Sequence, residues 1–536
     1  MIVFVSDLFA EQYIGGAELT TEALITSGML PSKKFFSSEL TPQMMKTYEN
    51  SFWVFANFHQ VSIECLLYAA KNLNYSILEY DYKYCELRSP EKHIEISGHC
   101  NCHESKRGKL VSIFLNNSKV TWWMSYNQME KYLERFPFLR KANNKVLSSV
   151  LSDETLKFID TLDIANKNDK WLILRSSSWI KGTNDAVQYA QKNNLKYELV
   201  GGTSYEEFLN KLAQSKGIIF FPPGGDTCPR MIIEAKLLGC ELILNNNVQH
   251  KDEDWFSTQE SCLKYLKERT RVFWNEIEEH ISFLPTETSA SENRYIIVAP
   301  FYNAQTYIER CINSLKRQRH QNFQCILIDD LSTDESLTLA RKNTAGDSRF
   351  KIIKNSEKCY ALKNIYNALS DTNVNDEDIV ILLDGDDWLA SSKTLSALNS
   401  IYANQNYYVT YGSYIFYPYG VRGPEPSEYP LNTIDNNLFR EDTWRASHLR
   451  TFKYHLWNKI NVDDLKDNEG KFYDVAYDQA IMLPLLEMAS HKIKYVDSIL
   501  HVYNKENPLN VDKIKTNKQV KVAKDIRQKN KYRRVA

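Results

Sequence analysis

Residues 379–389 read IVILLDGDDWL. Five apolar residues, Ile379 to Leu383, run unbroken into Asp384, Gly385, Asp386 and Asp387. A short solid apolar run reads as a strand buried on both faces, as in a parallel sheet under helices. The acids then fall at the strand's carboxyl end, where open α/β sheets place their ligands. Asp384 and Asp386 lie two apart, so on extended backbone their side chains point the same way. Gly385 between them permits a sharp turn or a close ligand approach. Two converging carboxylates repel each other unless a cation sits between them, and hard oxygen ligands suit Mg²⁺ or Mn²⁺. A solvated acidic turn after a core strand would give the same string.

Outward from this stretch the alternation continues. YIIVAPFYNAQTYIERCINSLKRQ, from Tyr295, reads as a buried strand, a turn and an amphipathic helix. FQCILIDDLSTDES, from Phe323, is a strand ending in two acids and a Ser-Thr-Asp turn. Strands alternating with helices argue for a parallel sheet. Upstream, the polar piece LPTETSASENR, Leu284 to Arg294, separates this region from another that starts its own strand pattern.

That first region opens with the strand IVFVS and the loop DLFAEQYIGGAE, then a helix from about Ala17. A strand, a Gly-Gly turn and a helix N-terminus make an anion site, because free N–H groups and the helix dipole both face the ligand. Near Trp171 a second α/β unit begins: WLILRSSSWIKG, YELVGG, GIIFFPP and GGDTCPRMIIEAKLLGC. Arg175, Lys181, Asp226 and Glu234 sit at its strand ends and helix starts, a placement suited to a phosphate-bearing ligand. Among the strand and helix candidates that precede this second unit lie Cys85, His93, His99, Cys100, Cys102 and His103. Cys85, Cys100, Cys102 and His103 offer the soft ligand set of Zn²⁺, though Cys-x-Cys departs from the usual spacing; a local disulfide or free thiols are the alternative.

At 536 residues the chain has room for three or four domain-sized units. The formal net charge of −1 gives no global bias toward nucleic acid, and nucleic acid is not an expected partner. No apolar run approaches a membrane span. The N-terminus carries Asp7 and Glu11 early and reads as a strand and loop, not a signal peptide. Ten cysteines then suggest reduced thiols in a cytosol-like compartment. The segment from Asp512 to Ala536 is basic and helix-capable, able to touch an anionic membrane face or nucleic acid or to remain a solvated tail. Nothing in the string fixes the oligomeric state.

The residues just quoted resemble two glycosyltransferase families. Residues 1 to about 284 look like a GT-B enzyme of family 4. Gly15-Gly16-Ala17-Glu18 matches its donor-diphosphate loop, and Arg175 with Lys181-Gly182 matches its diphosphate-binding pair. Asp226 and Glu234 match a Glu-x₇-Glu motif for donor sugar and ribose, with Asp in the first place. Residues 294 to about 505 resemble a family-2 enzyme of GT-A fold. Pro300-Phe301-Tyr302-Asn303 matches its opening Pro-x-Tyr-Asn, and Asp329 to Asp334 its Asp-Asp-x-Ser-Thr-Asp, whose acids contact the nucleotide. Lys363 stands where Ala-x-Arg-Asn has Arg, Asp384-Gly385-Asp386 matches the metal-binding Asp-x-Asp, and Asp478 takes the catalytic-base position, with Tyr477 in place of Glu. His501 is a candidate third metal ligand.

The resemblance implies an α/β protein: two Rossmann-like GT-B lobes, 1–165 on the acceptor side and 166–284 on the nucleotide-sugar side. A linker at 285–293, a GT-A domain at 294–505 with a mostly parallel sheet, and a basic tail at 506–536 follow. It implies a bifunctional glycosyltransferase, using Mn²⁺ or Mg²⁺ at the GT-A site and a UDP-sugar as donor, on a glycan or other hydroxyl acceptor. The GT-A module would invert configuration; the GT-B module would retain it without a metal. The expected location is cytoplasmic, with the basic tail as a peripheral membrane contact. Two alternatives stand beside it: a GT-B half that only binds acceptor, and a sugar nucleotidyltransferase.

Overall fold

The computed structural model describes residues 1–284, 292–371, 373–404, 407–510 and 516–535. They form two compact units, one of Met1–Gly28 with Ser32–His280, the other of Met29–Pro31 with Ile281–Ala536. Most of the expected linker, 285–291, lies outside the described residues.

The first unit holds two all-parallel sheets. The larger runs in the order Ser32–Phe36, Ile2–Ser6, Phe52–Phe55, Asn74–Glu79, Thr121–Trp123, Asn144–Val146. The smaller runs Glu241–Leu244, Gly217–Phe220, Trp171–Leu174, Tyr197–Val200. An aromatic-rich core with Trp53, Phe55, Tyr75, Phe114, Trp123 and Tyr132 fills one side of the larger sheet. The helix Arg269–Glu279 returns from the smaller sheet to the larger one, where the Trp274 indole N–H donates to the Leu24 carbonyl at 3.0 Å.

The second unit is built on one eight-stranded sheet. Its order is Phe350–Lys354, Phe323–Asp329, Tyr295–Phe301, Ile379–Leu382, Arg450–Lys453, Val409–Tyr417, Ile493–Asn504, Trp388–Leu389. The first four strands are parallel, and Arg450–Lys453 joins Ile379–Leu382 antiparallel. The solid apolar run at Ile379 has a simple cause: both faces are covered. Ile379 and Ile381 point into one core with Ile297 and Leu327; Val380 and Leu382 point into another with Val298 and Ile328. Each fully buried side chain of this size contributes roughly 1.5–3 kcal/mol, so a polar substitution in this strand disrupts one of two cores. The strand itself is four residues long and stops before the acids.

The basic C-terminal segment is not a free arm. Helix Thr516–Gln528 packs against helix Tyr477–Ala489, with Ile526 buried. Arg527 donates to the Arg440 and Asp442 carbonyls at 2.8 and 2.7 Å, and Lys518 pairs with Asp474 at 2.6 Å. Its apolar stripe explains the docking, a signal that charge counting hid. Among the described residues, no helix is long and apolar enough to cross a membrane.

Candidate active site

A cavity of about 390 Å³ opens in the second unit at the carboxyl ends of the parallel strands. Three loops build it, each starting where a strand stops.

The first pair of loops forms one wall. Strand Tyr295–Phe301 delivers Pro300, and Tyr302 follows, 40% exposed, with the Lys358 ammonium 3.0 Å from its ring centroid. Strand Phe323–Asp329 ends and Leu331 turns in the left-handed region at φ 63°. Asp330 is thereby aimed at the N-terminus of helix Tyr360–Asp371, where it accepts from the Cys359 and Tyr360 amides at 2.8 and 3.0 Å. Burial pushes its pKa up. The Cys359 N–H, the amides of Asn364 and Asn355 and the Lys358 charge outweigh that and hold it below the usual carboxylate range. Asp330 is therefore an ionised acceptor on the cavity wall.

The third loop is the acidic turn. Its i, i+2 acids are not on extended backbone, as the sequence suggested: the Asp387 N–H bonds to the Asp384 carbonyl at 3.0 Å, closing a turn through Gly385. A Cβ on Gly385 would lie 2.5 Å from Phe301 Cβ, so glycine is required for the turn to pack on that strand. Asp384 accepts the Tyr477 hydroxyl on both oxygens at 2.8 and 2.7 Å. Asp386 accepts the Asn507 amide at 2.7 Å. Asp387 is buried, held by the Asn504 N–H at 2.8 Å and by His501 Nε2 at 2.9 Å.

Three carboxylates in four residues raise one another. Burial, then the Asp387 charge, pushes Asp386 up to about 7. Burial and Asp386 raise Asp384; burial and Asp384 raise Asp387. Two cavity-lining carboxylates carrying this penalty are a hard, anionic donor set, and a divalent cation would relieve it. Asp384 and Asp386 thus fit Mg²⁺ or Mn²⁺.

The far wall comes from antiparallel strand Arg450–Lys453 and helix Tyr477–Ala489. Ala476 at φ 52° starts that helix abruptly and sets Asp478 in its first turn, facing the cavity. The Arg450 guanidinium lies 3.4 Å from the Asp478 carboxylate and 3.3 Å from His448.

The cavity therefore gathers Pro300, Tyr302, Asp330, Asp384, Asp386 and Asp478 of the residues expected from sequence. Four others stand apart from its lining. Asn303 accepts the Thr333 N–H at 2.8 Å and joins two strand-end loops. Asp329 is wholly buried and accepts the Ser332 N–H at 3.0 Å, fixing the turn. Lys363 pairs with Glu357 at 2.6 Å. His501 is fully buried behind Asp387, stacked on His448 at 4.4 Å between centroids, and burial lowers its pKa to about 3.

Sequence reasoning missed Asp387, His448, Arg450, Lys358 and Asn507. Asp387 adjoins the Asp-x-Asp pair and was readable as a third acid. Arg450 and Asn507 lie on segments without a local pattern; only the sheet order brings them here.

In the first unit, helix Gly16–Ser27 starts at Gly15 with no side-chain cap. Arg175 is exposed just past strand Trp171–Leu174. Lys181 reaches Asp226 at 3.3 Å. Gly182 turns at φ 57°, where a Cβ would strike the Phe221 carbonyl at 1.8 Å. Glu234 is buried and committed internally: Arg230 Nε donates to it at 2.8 Å and the Tyr205 hydroxyl donates to the same oxygen. The thiols of Cys85, Cys100 and Cys102 do converge, but with His93; His103 instead lies 3.8 Å from Glu104. The short helix Pro90–Ser97 carries His93 back over Cys85, which linear spacing did not reveal.

Residues 296–462 match the model of glycosyl transferase family 2. An uncharacterized glycosyltransferase of Haemophilus influenzae is 33% identical over 122 residues, 22% of this chain and 46% of that one. The uncharacterized glycosyltransferase EpsJ of Bacillus subtilis is 25% identical over 226 residues, 41% of this chain and 62% of that one. A crystal structure of S. aureus TarS in complex with UDP-GlcNAc aligns with TM-score 0.31 and 21% identity, over 40% of this chain and 59% of that one. The chain spans less than two thirds of the length of each of these relatives.

Proposed function

The C-terminal half carries a glycosyltransferase family 2 domain, and from that premise we propose that this half transfers a sugar from a nucleoside-diphosphate donor to a hydroxyl acceptor. The observation that carries the reading is the turn of Asp384 and Asp386 in a cavity whose other end presents Asp330. Tyr302 and Asp330 hold the nucleoside, a UDP-type base donating its imide N–H to the ionised Asp330. Asp384 and Asp386 would hold Mn²⁺ or Mg²⁺, which would supply Lewis-acid neutralisation of the diphosphate charge when bound. Tyr477 orients Asp384 through its hydroxyl and opposes part of the rise that burial and Asp386 impose on that carboxyl. Asp478 takes the proton of the acceptor hydroxyl, and Arg450 holds that carboxylate in place. Attack opposite the leaving group inverts the anomeric centre.

The first unit, on this reading, is a GT-B-like pair of lobes. Gly15, Gly16, Arg175, Lys181, Asp226 and Glu234 would serve a second donor, making the chain bifunctional. One observation favours the second reading, in which this half binds acceptor only: Glu234 is already engaged by Arg230 and Tyr205.

A panel of labelled nucleotide sugars, with glycan acceptors and with or without Mn²⁺, tests both. At least one donor should be used only with Mn²⁺, and transfer from that donor should stop in excess chelator and fall by roughly 10³-fold in Asp478→Asn. If no donor depends on the metal, or D478N still uses the Mn²⁺-dependent donor at the wild-type rate, the assignment to the second unit is refuted. If Glu234→Ala then spares every remaining donor, the two-donor reading fails and the acceptor-binding one stands. Pyrophosphate release from a nucleoside triphosphate and a sugar phosphate would instead identify a nucleotidyltransferase.

A further inference from the structure

The first unit contains a second cluster whose chemistry the transfer reaction does not use. Cys85, His93, Cys100 and Cys102 each offer one ligand atom, all within 4.8 Å of one another. The sulfurs of Cys100 and Cys85 are 3.7 Å apart; His93 Nδ1 is 3.6 Å from the Cys85 sulfur and 3.0 Å from that of Cys102. Zn–S bonds of about 2.3 Å and Zn–N bonds of about 2.0–2.1 Å at tetrahedral angles need S···S edges of about 3.8 Å and S···N edges of about 3.6 Å. We propose that these four side chains bind one Zn²⁺ in a closed, structural Cys₃His site.

The local fold supports a cation rather than a disulfide. The three cysteines of the cluster and the other seven of the chain are free thiols, and a disulfide here would pair two groups and leave two stranded. The ligands come from three successive pieces: a turn at Cys85, the helix Pro90–Ser97, and the turn at Cys100 and Cys102 before helix Lys106–Asn117. Gly108 lets the last piece in, since a Cβ there would lie 2.0 Å from the Cys102 carbonyl. With four protein ligands no position is left for substrate, so the role is to hold the segment, not to catalyse. That segment carries Arg88, which bonds Asp81 through Nε at 2.7 Å and lies 3.6 Å from Asp7 at the end of the first strand. Zinc therefore fixes the loop that supplies a charged wall above the carboxyl edge of the larger sheet.

The test uses the full chain, produced with zinc and dialysed against a chelator under reducing conditions. About one zinc per chain should remain, and X-ray absorption at the zinc edge should report three sulfurs and one nitrogen. His93→Gln and Cys100→Ser should lose the metal, whereas His103→Gln and Cys228→Ser should keep it. A chain that retains and takes up no zinc, an oxygen-dominated shell, or metal lost from H103Q but kept by H93Q would overturn the assignment. The wild-type absorption spectrum decides even if the cysteine variants fail to fold.

Discussion

Replacing Gly385 with alanine is the sharpest probe of the acidic turn. The new Cβ would meet Phe301 Cβ at 2.5 Å and the Pro300 carbonyl at 3.3 Å. Carbon atoms in contact sit at about 3.5–4.0 Å, so roughly 1 Å of separation must be found. Phe301 Cβ cannot swing aside, because it hangs directly on a strand whose seven residues are all buried. The turn must move instead, taking Asp384 and Asp386 with it. Overpacking of this kind costs about 1–3 kcal/mol, which a folded unit of this size survives. A misplacement of about 1 Å at reacting groups costs on the order of 10²-fold in rate. G385A should therefore fold, with a lowered urea midpoint, and transfer sugar about a hundredfold more slowly while needing more Mn²⁺ for half-maximal rate. A folded G385A with wild-type turnover and wild-type metal requirement would refute the claim that this turn sets the position of the metal-binding pair.

Three further outcomes follow from buried groups. Arg440 grips Glu487 through two bonds, 2.6 and 3.0 Å, with both side chains at most 3% exposed; Glu487→Ala should cost about 3–5 kcal/mol by stranding the guanidinium, read as a urea midpoint. Because the Tyr532 N–H also bonds Glu487 at 3.0 Å, the same variant should expose the C-terminal segment to protease; an intact segment would argue against that anchoring. His250 is fully buried beside Trp255 and Phe256, and burial lowers its pKa to about 3. The folded form excludes a proton that the unfolded chain accepts below about 6.5, so stability present above pH 6.5 falls progressively toward pH 3. About 2 kcal/mol of this loss arrives by pH 5; His250→Phe should remove that share of the acid sensitivity, and an unchanged pH profile would contradict it.

How far the residues alone led differs from place to place. The buried strand at Ile379 was legible because two covered faces leave no room for polar residues, and its acids followed as the strand end. The extended i, i+2 geometry did not hold, because the chain takes the sharp turn that Gly385 permitted in the sequence. Arg450 and Asn507 were invisible because antiparallel strands and long returns bring them to the cavity, and sheet order has no local signature. The thiol cluster was visible as composition, yet its imidazole was misassigned to His103: adjacency in sequence lost to a helix that folds His93 back over Cys85. The C-terminal segment looked like a solvated basic arm because its charges outnumber the few apolar side chains, Ile526 among them, that dock it.

The most direct measurement is calorimetric binding of UDP and other nucleoside diphosphates to the full chain, with Mn²⁺ and with excess chelator, beside Asp386→Asn. Binding should require the metal in the wild type and weaken at least about tenfold in D386N. Equal affinity in chelator, or an Asp386→Asn protein indistinguishable from wild type, would contradict a cation held between Asp384 and Asp386.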